Sequence, residues 1–249
     1  MDEAPFAIEG AQRGGRWVVL CDHATNRVPG CIGGGSLGLS AADMARHIAW
    51  DVGALGVARA LAGLLDAPLV FSRFSRLVID PNRGEDDPTL VMRLYDGSII
   101  PANRNVDAAE IARRLAAFHR PYHAAVARVL AARPEAAVVS VHSFTPQLAG
   151  RPVRPWHVGV LSSHDRRLAD PLLDLLAAQA DLCVGDNEPY SGHLPGDTMD
   201  RHALRTGRLH ALIELRNDLI GTDAAQRDWA ERLAGPLKAA LARAVACAQ

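Results

Sequence analysis

The sequence predicts an α/β fold, a single domain with a mostly parallel, mixed central sheet flanked by helices. Three observations carry that expectation. Short runs rich in Val, Ile and Leu alternate with longer stretches of helical periodicity, the order expected of a sheet joined by crossover helices. Several of the apolar runs end abruptly on His, Asp or Glu, and open α/β sheets place their chemistry at the carboxyl ends of strands. At 249 residues the chain can bury one sizeable core, and no linker, repeat or low-complexity tract divides it.

Residues 1–15 read as a loose lead-in and 16–249 as the domain. Trp17-Val18-Val19-Leu20 is a buried strand, followed by a glycine-rich loop from Gly30 to Gly38. Ser40-Ala41-Ala42-Asp43 matches a capping box with Asp in place of Glu, opening a helix that runs to Leu65. Leu69 to Phe71 and Arg76 to Asp80 read as strands, the second ended by Pro81. Residues 84–106 form a long polar connection of the kind that shapes pockets. Asp107 to Arg133 is helical, and Pro121 predicts a kink within it. A strand at 136–142, a Pro-rich excursion, a strand from Val158 to Leu161 and a helix from Asp165 to Ala180 follow. A short strand at 182–184, a Gly/Pro-rich loop over 185–200, a strand at 210–215 and an amphipathic helix over 223–248 complete the series.

Composition narrows the function. A net charge of −1 leaves no basic footprint for nucleic acid or an anionic membrane. No apolar run approaches the roughly 20 residues of a membrane span. Met1-Asp2-Glu3-Ala4-Pro5 lacks the pattern of a signal peptide, so a cytoplasmic location is expected. Cys21, Cys31, Cys183 and Cys247 have no C-x-x-C spacing, which argues against a cysteine-rich zinc site or a redox motif. Gly33-Gly34-Gly35 with Gly38 does not follow a strand in the G-x-G-x-x-G manner, so dinucleotide binding is rejected. The Arg-rich, Lys-poor balance points to a bacterial genome and bears no functional weight.

The chemistry concentrates at three strand ends. Cys21-Asp22-His23 follows the first strand, Val139-Ser140-Val141-His142 ends another, and Leu212-Ile213-Glu214 delivers a carboxylate from a third. His23 and His142 are candidate metal ligands, since neutral imidazole suits zinc and catalytic zinc keeps three protein ligands. The third ligand is open between two residues. Asn26 has H-x-x-E spacing from His23 but offers only an amide; Asp51 is a carboxylate in an apolar run, expensive there unless coordinated or paired. Asp22, next to His23, is expected to point to the opposite face of a continuing strand. Arg76 and Asp80 share one face of their expected strand, with Asn82 and Arg83 beyond Pro81, a set suited to gripping a carboxylate. Tyr190, Arg201 and His202, in and after the 185–200 loop, are candidate substrate contacts. His119 and His123 have metal-ligand spacing on a helix, but Pro121 lies between them and no Glu follows His119; His123 reads as a structural or supporting residue.

Six segments, CDHATNRVPG, HIAWDVGA, SRLVIDPNR, RPYH, SVHSFTP and IELRNDLI, occur in an order and spacing that resembles the N-formylglutamate amidohydrolase family, over Val18 to Ile220. The wider likeness is to zinc carboxypeptidase-like and aspartoacylase-like hydrolases. The resemblance implies a phosphorylase/hydrolase-like α/β fold and one divalent metal, zinc first. It assigns His23 and His142 as metal ligands, Glu214 as general base, Arg76 as the carbonyl-polarising group, and Asn82 with Arg83 as binders of the substrate carboxylate. Where the wider group has a Glu ligand this chain has Asn26, and Asp51 is the substitute. The implied reaction is hydrolysis of N-formyl-L-glutamate, or a similar N-acyl acidic amino acid, to the amino acid and formate, a late step of one route of histidine breakdown. Two alternatives keep the fold: an N-acyl-amino-acid deacylase or small carboxypeptidase with the same site, and a catalytically silent binding protein. The partner in the first two is a small molecule, with no nucleic acid or membrane; a homo-oligomer is left open.

Overall fold

The chain folds around a seven-stranded sheet, seen in a computed structural model that describes residues 4–246. In chain order the elements begin with β1 (Phe6–Glu9), β2 (Trp17–Cys21), α1 (Ala41–Met44), α2 (Ala54–Leu64) and β3 (Leu69–Ser72). A hairpin, β4 (Leu94–Tyr95) and β5 (Ser98–Ile99), precedes α3 (Ala108–Arg114) and α4 (Arg120–Ala131). The second half comprises β6 (Ala137–Phe144), β7 (Val158–Leu161), α5 (Ala169–Ala177), β8 (Val184–Asp186), α6 (Thr198–His202), β9 (His210–Arg216) and α7 (Asp223–Ala246).

The strand order is β1-β3-β2-β6-β9-β7-β8. Its centre, β3-β2-β6-β9, is parallel; β1 joins β3 and β7 joins β9 antiparallel. The expected mostly parallel, mixed sheet is therefore what forms. Helices α2, α5 and α7 cover one face, where Trp229, Leu233 and Leu237 of α7 meet Val57 and Leu61 of α2. Helix α4 covers the other through Tyr122, Val126 and Leu130. Both faces of the central strands are buried, which explains why they read as unbroken apolar runs rather than alternating ones.

Four local differences from the sequence expectation have physical causes. The lead-in is not loose: Phe6–Glu9 pairs with β3, its Phe6 and Ile8 packing on the sheet. The helix expected from Ala41 to Leu65 is two helices. The Ser40 hydroxyl accepts from Asp43 N as the capping pattern requires, but the helix stops after one turn. Gly53 interrupts it with φ of +80°, and a Cβ there would sit 2.4 Å from the Ile220 carbonyl oxygen, so only glycine fits. Residues 76–80 do not form a strand: Val78 N donates to the Ser75 carbonyl and Leu77 N to Ser75 Oγ, which closes a turn over 76–78. Leu77, Val78 and Ile79 are instead buried under the long connection, beside Phe74 and Ile100. The helical stretch from 107 opens on an Asp107 cap and widens into a π-helical turn, Leu115–His119, just before Pro121, whose missing N–H makes a regular ladder impossible there.

The last helix is described to Ala246, so the end of the expected 223–248 helix, Cys247 and Met1 to Glu3 lie outside the described residues. Among the described cysteines, Cys21, Cys31 and Cys183 are free thiols. No described helix is long and apolar enough to cross a membrane.

Candidate active site

Strand β2 ends at Cys21, and the next two residues turn away from the ladder. That turn frees Asp22 and His23 from strand alternation, so both face the site; the expectation that Asp22 points away is corrected. Strand β6 carries His142 near its carboxyl end, and β9 sets Glu214 in register with it. Asp51 comes from the loop left by the interrupted helix, where its backbone N–H donates to the His23 carbonyl at 2.9 Å. The buried carboxylate predicted for a helix is thus buried in a loop, drawn there by that bond.

The three groups converge. His142 Nδ1 lies 2.9 Å and His23 Nδ1 3.3 Å from the same oxygen, Asp51 Oδ2, and one ligand atom from each residue falls within 4.8 Å of the others. The opposite ring nitrogens face other carboxylates: His23 Nε2 is 2.7 Å from Asp80 Oδ1, and His142 Nε2 is 3.0 Å from Asp22 Oδ2. A neutral imidazole has one N–H. Donated to Asp80 or Asp22, it leaves each Nδ1 lone pair directed at the lone pairs of Asp51. Such a set is repulsive without a cation between its members. With one, it is the carboxylate–histidine–metal arrangement in which outer carboxylates orient the ligands.

Charge balance agrees. Asp22, Asp51 and Asp80 are all buried, and one guanidinium, Arg76, is buried against them. Burial alone would raise these carboxyls, but His142 and His23 hold Asp22 low. Likewise the same two imidazoles hold Asp51 low, and Arg76 with His23 holds Asp80 low. Two negative charges remain in excess, which a divalent ion would neutralise. In its absence His142 must carry a proton: burial opposes this, yet Asp22 and Asp51 push its pKa well above the usual range. The donors fit zinc, which takes imidazole nitrogen and carboxylate oxygen.

Around this centre lies a cavity of about 320 Å³. Its wall includes His23, Asp51, Arg76, Asn82, Arg83 and His142, and further round Tyr190 and Glu214. Glu214 is buried and its Oε2 has no hydrogen-bond partner among the described residues. Burial pushes its carboxyl up to about 7, the nearby imidazole of His142 opposing and Asp51 adding to the rise. Arg76 donates to Asp80 from Nη2 at 2.7 Å and Nε at 3.1 Å, and its Nη1 reaches Asp51 at 3.5 Å. The expected Arg76–Asp80 pairing exists, but on a turn rather than a strand face. Asn82 accepts from Thr198 N through its side chain, and Arg83 donates to Thr89 and to the Asn82 carbonyl, with no carboxylate partner among the described residues. Tyr190 accepts from Arg154 at 3.1 Å.

Three expected site residues are not on the cavity wall. Asn26 is half-buried, its amide nitrogen donating to the Met44 carbonyl. Arg201 faces Glu85 at 3.9 Å, and His202 is packed on His123. The H-x-x-E spacing that made Asn26 a competitor of Asp51 fails because the Asn26 amide is turned away to the Met44 carbonyl. Sequence reading also missed contributors. Asp22 gathers hydrogen bonds from Tyr122, Ser140 and Thr198 besides His142. His47 and Tyr95 line the cavity, and so does Asp197, whose carboxyl burial pushes up to about 7. A fully buried Asp after a strand was a usable signal for Asp22; nothing local announces Tyr95, which a separate hairpin carries in.

Comparison with known proteins agrees with this picture. A family model described as N-formylglutamate amidohydrolase matches residues 15–221. The structure of a gene product from Agrobacterium tumefaciens is 38% identical, with 96% of each chain covered and a TM-score of 0.91. An N-formylglutamate amidohydrolase from Ralstonia eutropha JMP134 is 22% identical over 96% of this chain and 97% of that one, with a TM-score of 0.65, and shares the fold. Among curated proteins no match was found. The family match spans every strand of the parallel core and all of the site residues above, and the chain belongs to the N-formylglutamate amidohydrolase family.

Proposed function

We propose that the protein is a metal-dependent amidohydrolase that cleaves the amide bond of a small N-acyl amino acid, N-formyl-L-glutamate first, giving the free amino acid and formate. The observation that carries this is the convergence of His23, Asp51 and His142 beside a buried carboxyl, Glu214, whose Oε2 has no partner. His23 and His142 would hold the ion through Nδ1, with Asp51 as the carboxylate ligand. A bound divalent ion supplies Lewis acidity and makes water acidic enough to attack near neutral pH.

The chain's own residues do the rest. Glu214 takes one proton from the attacking water as the new C–O bond forms and the carbonyl becomes tetrahedral. It then passes the proton to the nitrogen, which leaves as the amine when the C–N bond breaks and the carbonyl re-forms; such proton transfer is worth about 10²–10⁴-fold in rate. Arg76, fixed by Asp80, offers its guanidinium to the negative charge growing on the carbonyl oxygen. Arg83 and Asn82 bind the substrate's carboxylate; Arg83 is suited because no described carboxylate already occupies it. The cavity volume suits a substrate of amino-acid size.

The test is formate release from N-formyl-L-glutamate by zinc-loaded protein, alongside N-acetyl amino acids and short peptides. Metal-dependent formate release supports the reading. A loaded, folded protein that hydrolyses no N-acyl amino acid overturns it, and one that cleaves only peptides moves the assignment to a carboxypeptidase.

A further inference from the structure

Three histidines form a stack behind residues 80–83 and take no part in the chemistry above. His119, at the end of the π-helical turn, and His123, on α4, have ring centroids 4.4 Å apart; His202, on α6, stacks on His123 at 5.1 Å with planes 24° apart. All three are buried. The RPYH segment and the 119/123 spacing stood out in the sequence, and no described carboxylate accepts a hydrogen bond from any of these rings.

Their partners fix their tautomers. His123 Nε2 lies 3.0 Å from the Pro81 carbonyl oxygen, and His119 Nε2 lies 2.9 Å from that of Arg83. A carbonyl only accepts, so both rings carry the proton on Nε2. The bare Nδ1 of His123 then accepts from His202 Nε2, at 2.8 Å. His119 Nδ1 is buried without a partner, as an unprotonated nitrogen tolerates better than an N–H. Burial holds all three imidazoles below their usual range; Arg201 adds to this at each, and neighbouring imidazoles add to it at His123 and His202.

The carbonyls they hold need such donors. Residues 81–83 belong to no helix or strand, so no ladder satisfies their backbone oxygens. A lysine or arginine would bring a charge beside Arg83; a neutral ring supplies the N–H without one. We propose that His119 and His123 are positioning residues that hold Asn82 and Arg83 in the conformation that binds the substrate's carboxylate, with His202 fixing His123. This rests on the function proposed above.

The effect falls mainly on the substrate side. Asp80 Oδ1, which faces His23, accepts from the Asn82 N–H at 2.9 Å, but Asp80 is held independently of the stack by two bonds from Arg76 and by its own N–H on the Leu90 carbonyl. Arg83, by contrast, has its carbonyl on His119 and its guanidinium on Thr89 and on the Asn82 carbonyl.

The experiment compares His119→Leu and His123→Leu with His119→Gln, His123→Gln and Arg83→Ala in the zinc-loaded full chain. KM and kcat for N-formyl-L-glutamate, the calorimetric Kd of the product L-glutamate, which carries the same carboxylates and is not turned over, and the zinc content are measured. The expected result is a KM and Kd raised about tenfold in the Leu variants, the scale of one buried carbonyl losing its donor; Thr198 Oγ1, 3.4 Å from the Pro81 oxygen, is closer to Asp22 at 2.8 Å and has one proton to give. Zinc content stays at the wild-type level, kcat stays within about threefold, and the Gln variants, which keep a donor, recover most of the loss. Folded Leu variants with wild-type KM and Kd overturn the proposal if Arg83→Ala raises both. So do variants that lose zinc or kcat while KM stays put. If Arg83→Ala itself leaves KM and Kd unchanged, the carboxylate assignment fails, and the positioning role falls with it. Should the Leu variants not fold, His123→Gln and His123→Asn decide: the shorter amide cannot span to Pro81, and equal KM values for the two count against the role.

Discussion

His142 on β6 and Glu214 on β9 are register partners on adjacent parallel strands, so the backbone ladder sets a metal-facing imidazole beside the carboxyl that would move the proton. Paired residues on neighbouring strands project to the same face of a sheet. Their alignment owes nothing to loop conformation. What the loops add is Asp51 from one side and Asp80 with Arg76 from another, each drawn in by a specific hydrogen bond.

Chelation should abolish hydrolysis, and zinc should restore it. The same treatment should lower the thermal midpoint, because a ligand at about 1,000 times its Kd adds about 4 kcal/mol to stability, on the order of ten degrees for a chain of this size. Differential scanning calorimetry with and without chelator checks this; an unchanged midpoint would show that His23, Asp51 and His142 hold no ion.

Glu214→Gln should bind zinc normally yet turn over about 10²–10⁴-fold more slowly. Zinc content by atomic absorption and kcat by formate release separate the two effects. A variant with wild-type kcat removes Glu214 from its role.

The acid side of the rate profile follows from the same carboxyl. Glu214 acts as a base only when unprotonated, and burial places its pKa at about 7 in the metal-free protein. A nearby cation favours the carboxylate and moves that value down. Hydrolysis should therefore fall as pH drops, with a midpoint in kcat/KM below 7 in the zinc-loaded enzyme. A midpoint above 7 would contradict the assignment.

Asp80→Asn should weaken zinc binding by about 10–100-fold while leaving His23 in place, since an orienting carboxylate contributes on that scale. Competition with a chromophoric chelator measures it.

Arg76→Ala should cost about 3–5 kcal/mol of stability in addition to activity, because it strands Asp80, and partly Asp51, without their buried cation. Chemical denaturation reads the loss directly; a stability change under 1 kcal/mol would mean the pairing is replaceable by solvent.

Much of this was legible in the residues because strands that are buried on both faces announce themselves. Trp17 to Leu20, Ala137 to His142 and His210 to Leu215 were readable as strands, and their polar ends as a site. Asp51 was marked by the cost of a carboxylate among apolar neighbours, although its helix proved to be a loop. What stayed hidden depends on where chain direction changes. Asp22 faces the site only because β2 stops one residue earlier, and Arg76 to Asp80 lacks a strand because the Ser75 carbonyl and hydroxyl draw the chain into a turn. Tyr95 and Asp197 reach the cavity from distant loops, and Asn26, Arg201 and His202 miss it for the same reason. Local periodicity carries no information about such encounters.

Gly53 shows how far that dependence extends. Its missing side chain leaves room for the Ile220 carbonyl, which belongs to the segment just past β9. Two regions more than 160 positions apart in the chain therefore share one tolerance. A bulkier residue at 53, or an inserted residue before α7, would tilt the arm that presents Asp51, and affinity for the ion would drop although every ligand remained intact.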